Sequence, residues 1–182
     1  MRLLKIIILT ILLIPAASNG DHTDSRLDDL FLVLLQTEDL PLLRSTEGEI
    51  WAIWFEHPNA DVERLMQLGV QRMNYQSYTE ALAIFNNIVE GFPDFAEAWN
   101  RRATLHYIVG NYEASIADIE KVLALEPRHF GALSGLGMVY LQQEELSKAK
   151  QAFDDLIDVH PNSPNAKQNL EIVNESLRFN II

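Results

Sequence analysis

Three prolines divide this chain at equal intervals: Pro93, Pro127 and Pro161 lie 34 residues apart. Proline has no backbone N–H, cannot continue a helix, and biases its predecessor away from helical backbone. Stops at one fixed interval mean a single supersecondary unit, repeated and stacked. In register on the prolines, the windows 62–95, 96–129 and 130–163 align column by column. The fourth position holds Leu65, Trp99 and Leu133. The seventh and eighth hold Leu68-Gly69, Arg102-Ala103 and Leu136-Gly137, and the eleventh holds Arg72, His106 and Tyr140. Ala81, Ser115 and Ala149 fill the twentieth, Phe85, Ile119 and Phe153 the twenty-fourth, and Ile88, Val122 and Leu156 the twenty-seventh.

Positions 4, 7, 8 and 11 share one face of a first helix, and positions 20, 24 and 27 one face of a second, as a 3.6-residue period requires. Each window therefore reads as a helical hairpin. A small residue at position 8 facing another at position 20 lets two helices approach closely, and the larger residue at 24 fills the base. Asp94 with Glu97, and Ser77 with Glu80, have capping-box spacing. Gly110-Asn111 breaks the middle hairpin at its turn.

These columns resemble the tetratricopeptide repeat (TPR). The resemblance covers residues 62–179, and residues 28–61 more loosely. It implies an all-α solenoid, a right-handed superhelix of helical hairpins, with TPR 1 at 62–95, TPR 2 at 96–129 and TPR 3 at 130–163. A C-terminal capping helix follows over 164–182, where Ser163 can cap a helix opening at Pro164 and Leu170, Val173 and Leu177 recur at helical spacing. Upstream, Phe31, Leu34, Leu35, Trp51 and Trp54 fall on positions 4, 7, 8, 24 and 27 of a window at 28–61. Residues 21–61 are expected as an N-terminal helical cap or degenerate repeat, with Pro41 near its turn, Leu35 splaying the hairpin and the polar stretch 21–26 loose. Arg72 and His106 replace the family's aromatic at position 11, and Arg102 an apolar residue at position 7. Packing of the middle repeat is expected to be less regular.

What the resemblance implies for function is a protein or peptide segment held on the concave face formed by the first helices. Positions 2, 5, 9 and 12 point there: Glu63, Met66, Val70 and Met73; Glu97, Asn100, Thr104 and Tyr107; Gly131, Ser134, Met138 and Leu141. Arg101 lies at the edge. The candidate groove residues are Met66, Val70, Met73, Asn100, Arg101, Thr104, Tyr107, Ser134 and Met138. TPR domains that clamp a chain-terminal carboxylate use Lys, Arg and Asn at positions 2, 5, 6 and 9, and this chain offers only Asn100 and Arg101.

Catalytic signatures are missing. With no cysteine among 182 residues, thiol chemistry and cysteine-bound metals are excluded. No glycine-rich phosphate loop, G-x-S-x-G or H-E-x-x-H occurs. His22, His57, His106, His129 and His160 are dispersed, so no metal site and no cofactor are expected. A net charge of -12 argues against nucleic acid and anionic membrane surfaces as partners.

The first twenty residues form a secretory signal pattern: Arg2 and Lys5, an apolar run from Ile6 to Ile14, then small residues up to Gly20. Cleavage after Ser18 or after Gly20 fits, and the run is short for a membrane span. The expectation is an exported scaffold, periplasmic or secreted, without stable membrane insertion after cleavage. Two alternatives stand beside it: a structural spacer or homo-oligomer, and an enzyme with a site in residues 21–61 built from Glu38, Asp39, Glu47, Glu49, Glu56 and His57.

Overall fold

A computed structural model describes residues 22–179, which contain nine α-helices and no strand. The leader expected over residues 1–20 lies outside the described residues. After α1 (Arg26–Gln36) and α2 (Leu40–Phe55) come three hairpins: α3 (Ala60–Asn74) with α4 (Tyr78–Gly91), α5 (Ala96–Ile108) with α6 (Tyr112–Leu125), and α7 (Phe130–Gln142) with α8 (Leu146–Val159). The last helix, α9 (Pro164–Phe179), packs on α8. The prolines of the repeat follow the second helix of each hairpin, as their chemistry requires.

Every hairpin turns in the same way. Gln76, Gly110 and Glu144 occupy equivalent positions with φ of 59°, 78° and 59°. The following N–H of Ser77, Asn111 and Glu145 donates to the carbonyl of Arg72, His106 and Tyr140 at 2.8, 2.8 and 2.9 Å. This is the six-to-one bond that closes a helix end on a left-handed residue. Only the middle turn uses glycine. We expect Gln76→Gly and Glu144→Gly each to raise stability by about 0.5 kcal/mol, relief of the left-handed strain exceeding glycine's entropic cost. Urea unfolding checks this, and loss of stability in both variants would refute it.

Position 8 is small for a different reason than the sequence suggests. A Cβ on Gly69 would lie 2.6 Å from the Phe85 ring, and one on Gly137 would collide with the ring of Phe153. The occupant of the space is thus the aromatic ring at position 24 rather than the partner helix at position 20. In the middle hairpin Ala103 is tolerated because position 24 is Ile119, and Ser115 Oγ donates to the Ala103 carbonyl at 2.8 Å. Both phenylalanines are fully buried and have nowhere to swing. Gly137→Leu is therefore expected to cost about 1–3 kcal/mol through overpacking, measured by thermal unfolding. A variant as stable as the parent would show that Phe153 can yield.

Two expected capping boxes do not form. Ser77 makes no side-chain cap bond, and the residue before α5 is Phe95, with Glu97 turned inward. Ser163 does cap α9, accepting from the Ala166 N–H at 3.3 Å. Irregular packing around Arg102 takes a definite form: its guanidinium grips both Asp118 oxygens at 2.7 and 2.6 Å, donates to Asn86 at 2.9 Å, and lies over the Trp99 ring. A polar tie between α4, α5 and α6 replaces an apolar contact.

The largest departure is the placement of α1 and α2. They form a two-helix element, but its packing does not continue the stack on α3–α4. Leu27, Phe31, Leu34, Ile50 and Trp54 share one core with Phe130, Leu133, Phe153, Leu156 and Val173 from α7, α8 and α9. The element straps across the second and third hairpins. Thr37 accepts from Asn162 at 2.9 Å, Glu47 meets His160 at 2.6 Å, and Asp28 meets Arg128 at 2.8 Å. Leu35, expected to wedge the hairpin open, is 46% exposed. Within the polar stretch expected to be loose, Asp24 is tied down: its buried carboxylate accepts from the Arg26 backbone and side chain. That pairing holds the Asp24 carboxyl below its ordinary range.

Candidate partner-binding groove

The first helices of the second and third hairpins, α5 and α7, enclose a cavity of about 220 Å³. Its polar lining is Asn100, Thr104, Tyr107, Ser115 and Ser134. Ala103, Ile119, Ala132 and Met138 supply apolar wall, Gly131 lies at its edge, and Gly135 leaves the α7 backbone uncovered except for Ile119. No charged side chain lines it.

The candidate residues divide between this cavity and other places. Asn100, Thr104, Tyr107, Ser134 and Met138 come together in the cavity. Met66, expected on the groove, is instead fully buried, because position 5 of the first hairpin packs against Phe85 and Phe95 in a local core. Val70 and Met73 are half-buried against that same core. Arg101 points the other way, into a separate hollow of about 490 Å³ with Trp51, Phe55, Glu63 and Gln67. The floor residues Ser115 and Ile119 escaped the sequence reading because they belong to the second helix, whose columns read as packing.

A buried polar cluster sits at the head of α5. Glu97, only 1% exposed, meets Arg101 at 2.5 Å, accepts from the Asn100 amide at 2.8 Å, and lies 3.3 Å from His129 Nε2. His129 Nδ1 accepts from the Ala132 N–H, so the proton resides on Nε2 and donates to Glu97. Burial alone would raise the Glu97 carboxyl, but Arg101, His129 and Asn100 together hold it below the ordinary range. Asn100 and Arg101, the two residues that suggested a partial carboxylate clamp, are thus both engaged with a carboxylate of this chain.

The N-terminal element shapes the same face. Trp51 reaches the backbone of Gly131, where any Cβ would collide with its ring. It also separates the Arg101 hollow from one of about 200 Å³ lined by Glu47, Phe130, Ser134 and His160. Position 24 of the window 28–61 reads Trp51 as a packing residue rather than one on this face. Of the six residues named for an enzyme site in 21–61, four are drawn into structural ties: Asp39 caps α2, Glu47 pairs with His160, Glu56 with Arg26, and His57 lies against Phe92 and Phe95. Among the described residues no three His, Asp or Glu side chains are grouped to hold a metal ion, and no helix is long and apolar enough to cross a membrane.

Comparison with known proteins agrees with this architecture. A tetratricopeptide repeat family model matches residues 106–170. A TPR repeat-containing protein of Rhizobium etli is 35% identical over 155 residues, 85% of this chain and 76% of the relative. This chain belongs to the tetratricopeptide repeat family. DnaJ homolog subfamily C member 3 of mouse is 31% identical over 144 residues, 79% of this chain, although the TPR chain spans only 27% of that longer protein. Among solved structures, the first TPR of Spaghetti (RPAP3) bound to an HSP90 peptide superimposes with a TM-score of 0.62. At 19% identity it covers 64% of this chain and 93% of its own. The fold is an all-α TPR solenoid whose N-terminal helices strap the second and third repeats.

Proposed function

We propose that this TPR chain is a non-catalytic scaffold that holds a segment of another protein along its concave face, seated at the cavity between α5 and α7. The observation that carries the reading is convergence. Five groove residues from two different repeats line one open, uncharged cavity that combines hydrogen-bonding groups with apolar wall. The likeness to the RPAP3 domain, whose structure carries a bound HSP90 peptide, supports the same general mode. A clamp for a chain-terminal carboxylate is not part of the proposal, since Glu97 already engages Asn100 and Arg101. Export to the cell envelope is part of it, supported by the leader pattern of residues 1–20. Intact Met1 on the mature protein, read by mass spectrometry, would oppose export.

Photo-crosslinking in cells tests the groove. A crosslinker at position 104 should give a discrete adduct with another protein, whereas one at exposed position 120 on α6 should not. Gly135→Leu places bulk in the cavity, where a Cβ meets only Ile119 at 3.6 Å. It should lower the position-104 adduct about tenfold, equivalent to losing one good subsite, while the higher helix propensity of leucine protects the fold. Equal adducts from both positions would overturn the groove reading. Adducts only between copies of this chain would favour a spacer or homo-oligomer.

A further inference from the structure

We infer that Trp51 decides which way the bound segment runs: from the α5–α7 cavity towards His160 and the head of α9, and not towards the first repeat. This rests on the groove reading and adds the direction of the segment and the residue that fixes it. The α5–α7 cavity and the hollow of about 200 Å³ beside His160 share Gly131 and Ser134 in their linings, so they adjoin along α7. The hollow of about 490 Å³ that holds Arg101, Glu63 and Gln67 shares no residue with the α5–α7 cavity. Trp51 lines it from one side and the His160 hollow from the other. A chain seated at Ser134 therefore has open space in one direction and an indole ring in the other.

The ring is braced on every side that the segment would have to push. It lies so close to Gly131 that a Cβ there would collide with it. Trp54, His129 and Phe130 meet it edge-on, with centroids 5.4, 5.5 and 5.3 Å away, and the Arg101 guanidinium lies over its face at 5.4 Å. Arg101 is itself held by the buried Glu97. Swinging the indole aside gives up these contacts together, and a passing backbone, which needs only room, does not replace them. Beyond the ring the first repeat offers little to hold a segment. Met66 is fully buried, Val70 and Met73 are half-buried against their own core, and Glu63 accepts from the His57 N–H at 2.9 Å. On the open side Asn165, the second residue of α9, is exposed and lines the His160 hollow.

Photo-crosslinking of the full chain in cells at three positions tests the path. With the crosslinker at 104, 165 or 67 and no other change, positions 104 and 165 should give adducts with the same partner. Position 67 should give about tenfold less or lower, the ratio equivalent to about 1.4 kcal/mol for moving the ring. Trp51→Ala should bring the position-67 adduct to within about threefold of that at 104. Gly131→Ala, whose Cβ displaces the ring edge and which suits a helix better than glycine, should raise it as well. Circular dichroism and thermal unfolding report whether each variant is folded, and the footprint of the unsubstituted protein needs neither. Comparable adducts at 104 and 67 in that protein, or none at 165, would overturn the inference and leave the groove reading standing. A position-67 adduct that stays weak in folded Trp51→Ala and Gly131→Ala would overturn it too. No adduct at 104 removes the groove reading itself, and the path with it.

Discussion

Replacing Trp54 with alanine is expected to lower the unfolding free energy by about 3–5 kcal/mol, the usual cost of deleting a fully buried large aromatic. Its ring is 1% exposed and lies flat on His129, with centroids 4.0 Å apart and planes 9° from parallel. Phe31, Trp51 and Phe130 surround it at 6.1, 5.4 and 4.9 Å. The residue therefore joins α1 and α2 to the third repeat, and the cavity left behind would open between them. Trp54 Nε1 is buried with no hydrogen-bond partner. Trp54→Phe keeps most of the ring contact and removes that stranded donor, so it should cost much less than the alanine variant. Denaturant unfolding measures both, and hydrogen exchange should report faster opening of residues 26–55 than of 78–125 in the alanine variant. A loss below about 1 kcal/mol, a typical surface effect, would mean that the strap is not held by this contact.

Glu97→Gln should cost about 2–3 kcal/mol near neutral pH, because it removes the charge that Arg101 and His129 are arranged around. The value sits below that of a fully buried ion pair because Arg101 is 30% exposed and can turn to water. The variant should also change the pH dependence. Glu97 has its carboxyl lowered in the folded state, so its contribution is present above the ordinary glutamate range of about 4.3. As pH falls below that range, towards and through the folded value, the contribution disappears. The difference in stability between parent and Glu97→Gln should therefore be constant from neutral pH down to that range and shrink with further acidification. A difference that grows on acidification would contradict an ionised, buried Glu97.

The repeat was legible because its determinants are local. Proline chemistry at 93, 127 and 161, the 3.6-residue columns and the break at Gly110 each act within a few residues of themselves. The same local reading misassigned Glu97. Three residues after Asp94 it has the spacing of a capping box, but the competing partners, Arg101 one turn on and His129 in the next repeat, are stronger and turn it inward. Met66 failed for a related reason. Column position alone does not distinguish a groove face from one covered by the neighbouring hairpin, and burial against Phe85 and Phe95 removed it from the surface. Asn100, Thr104, Tyr107, Ser134 and Met138 were legible as neighbours because two repeats in phase bring equivalent positions side by side.

By itself the sequence determined the helical hairpins, where each stops, which residues face the hairpin interiors, and membership of the TPR family, since all of these follow from a period read along the chain. Only the tertiary structure decided where α1 and α2 go. Glu47 and His160 are 113 residues apart, and nothing in the identity of a glutamate or a histidine selects that partner over the other carboxylates and imidazoles of an acidic chain. Apolar residues at helical spacing state that a face will be buried, not what will cover it. The hydrogen-bonding character of the cavity was hidden for the same reason. How many donors Asn100, Thr104 and Ser115 keep for it depends on which protons are already claimed, and that is settled only when Glu97 and the backbone carbonyls of Asn100 and Ala103 are in place.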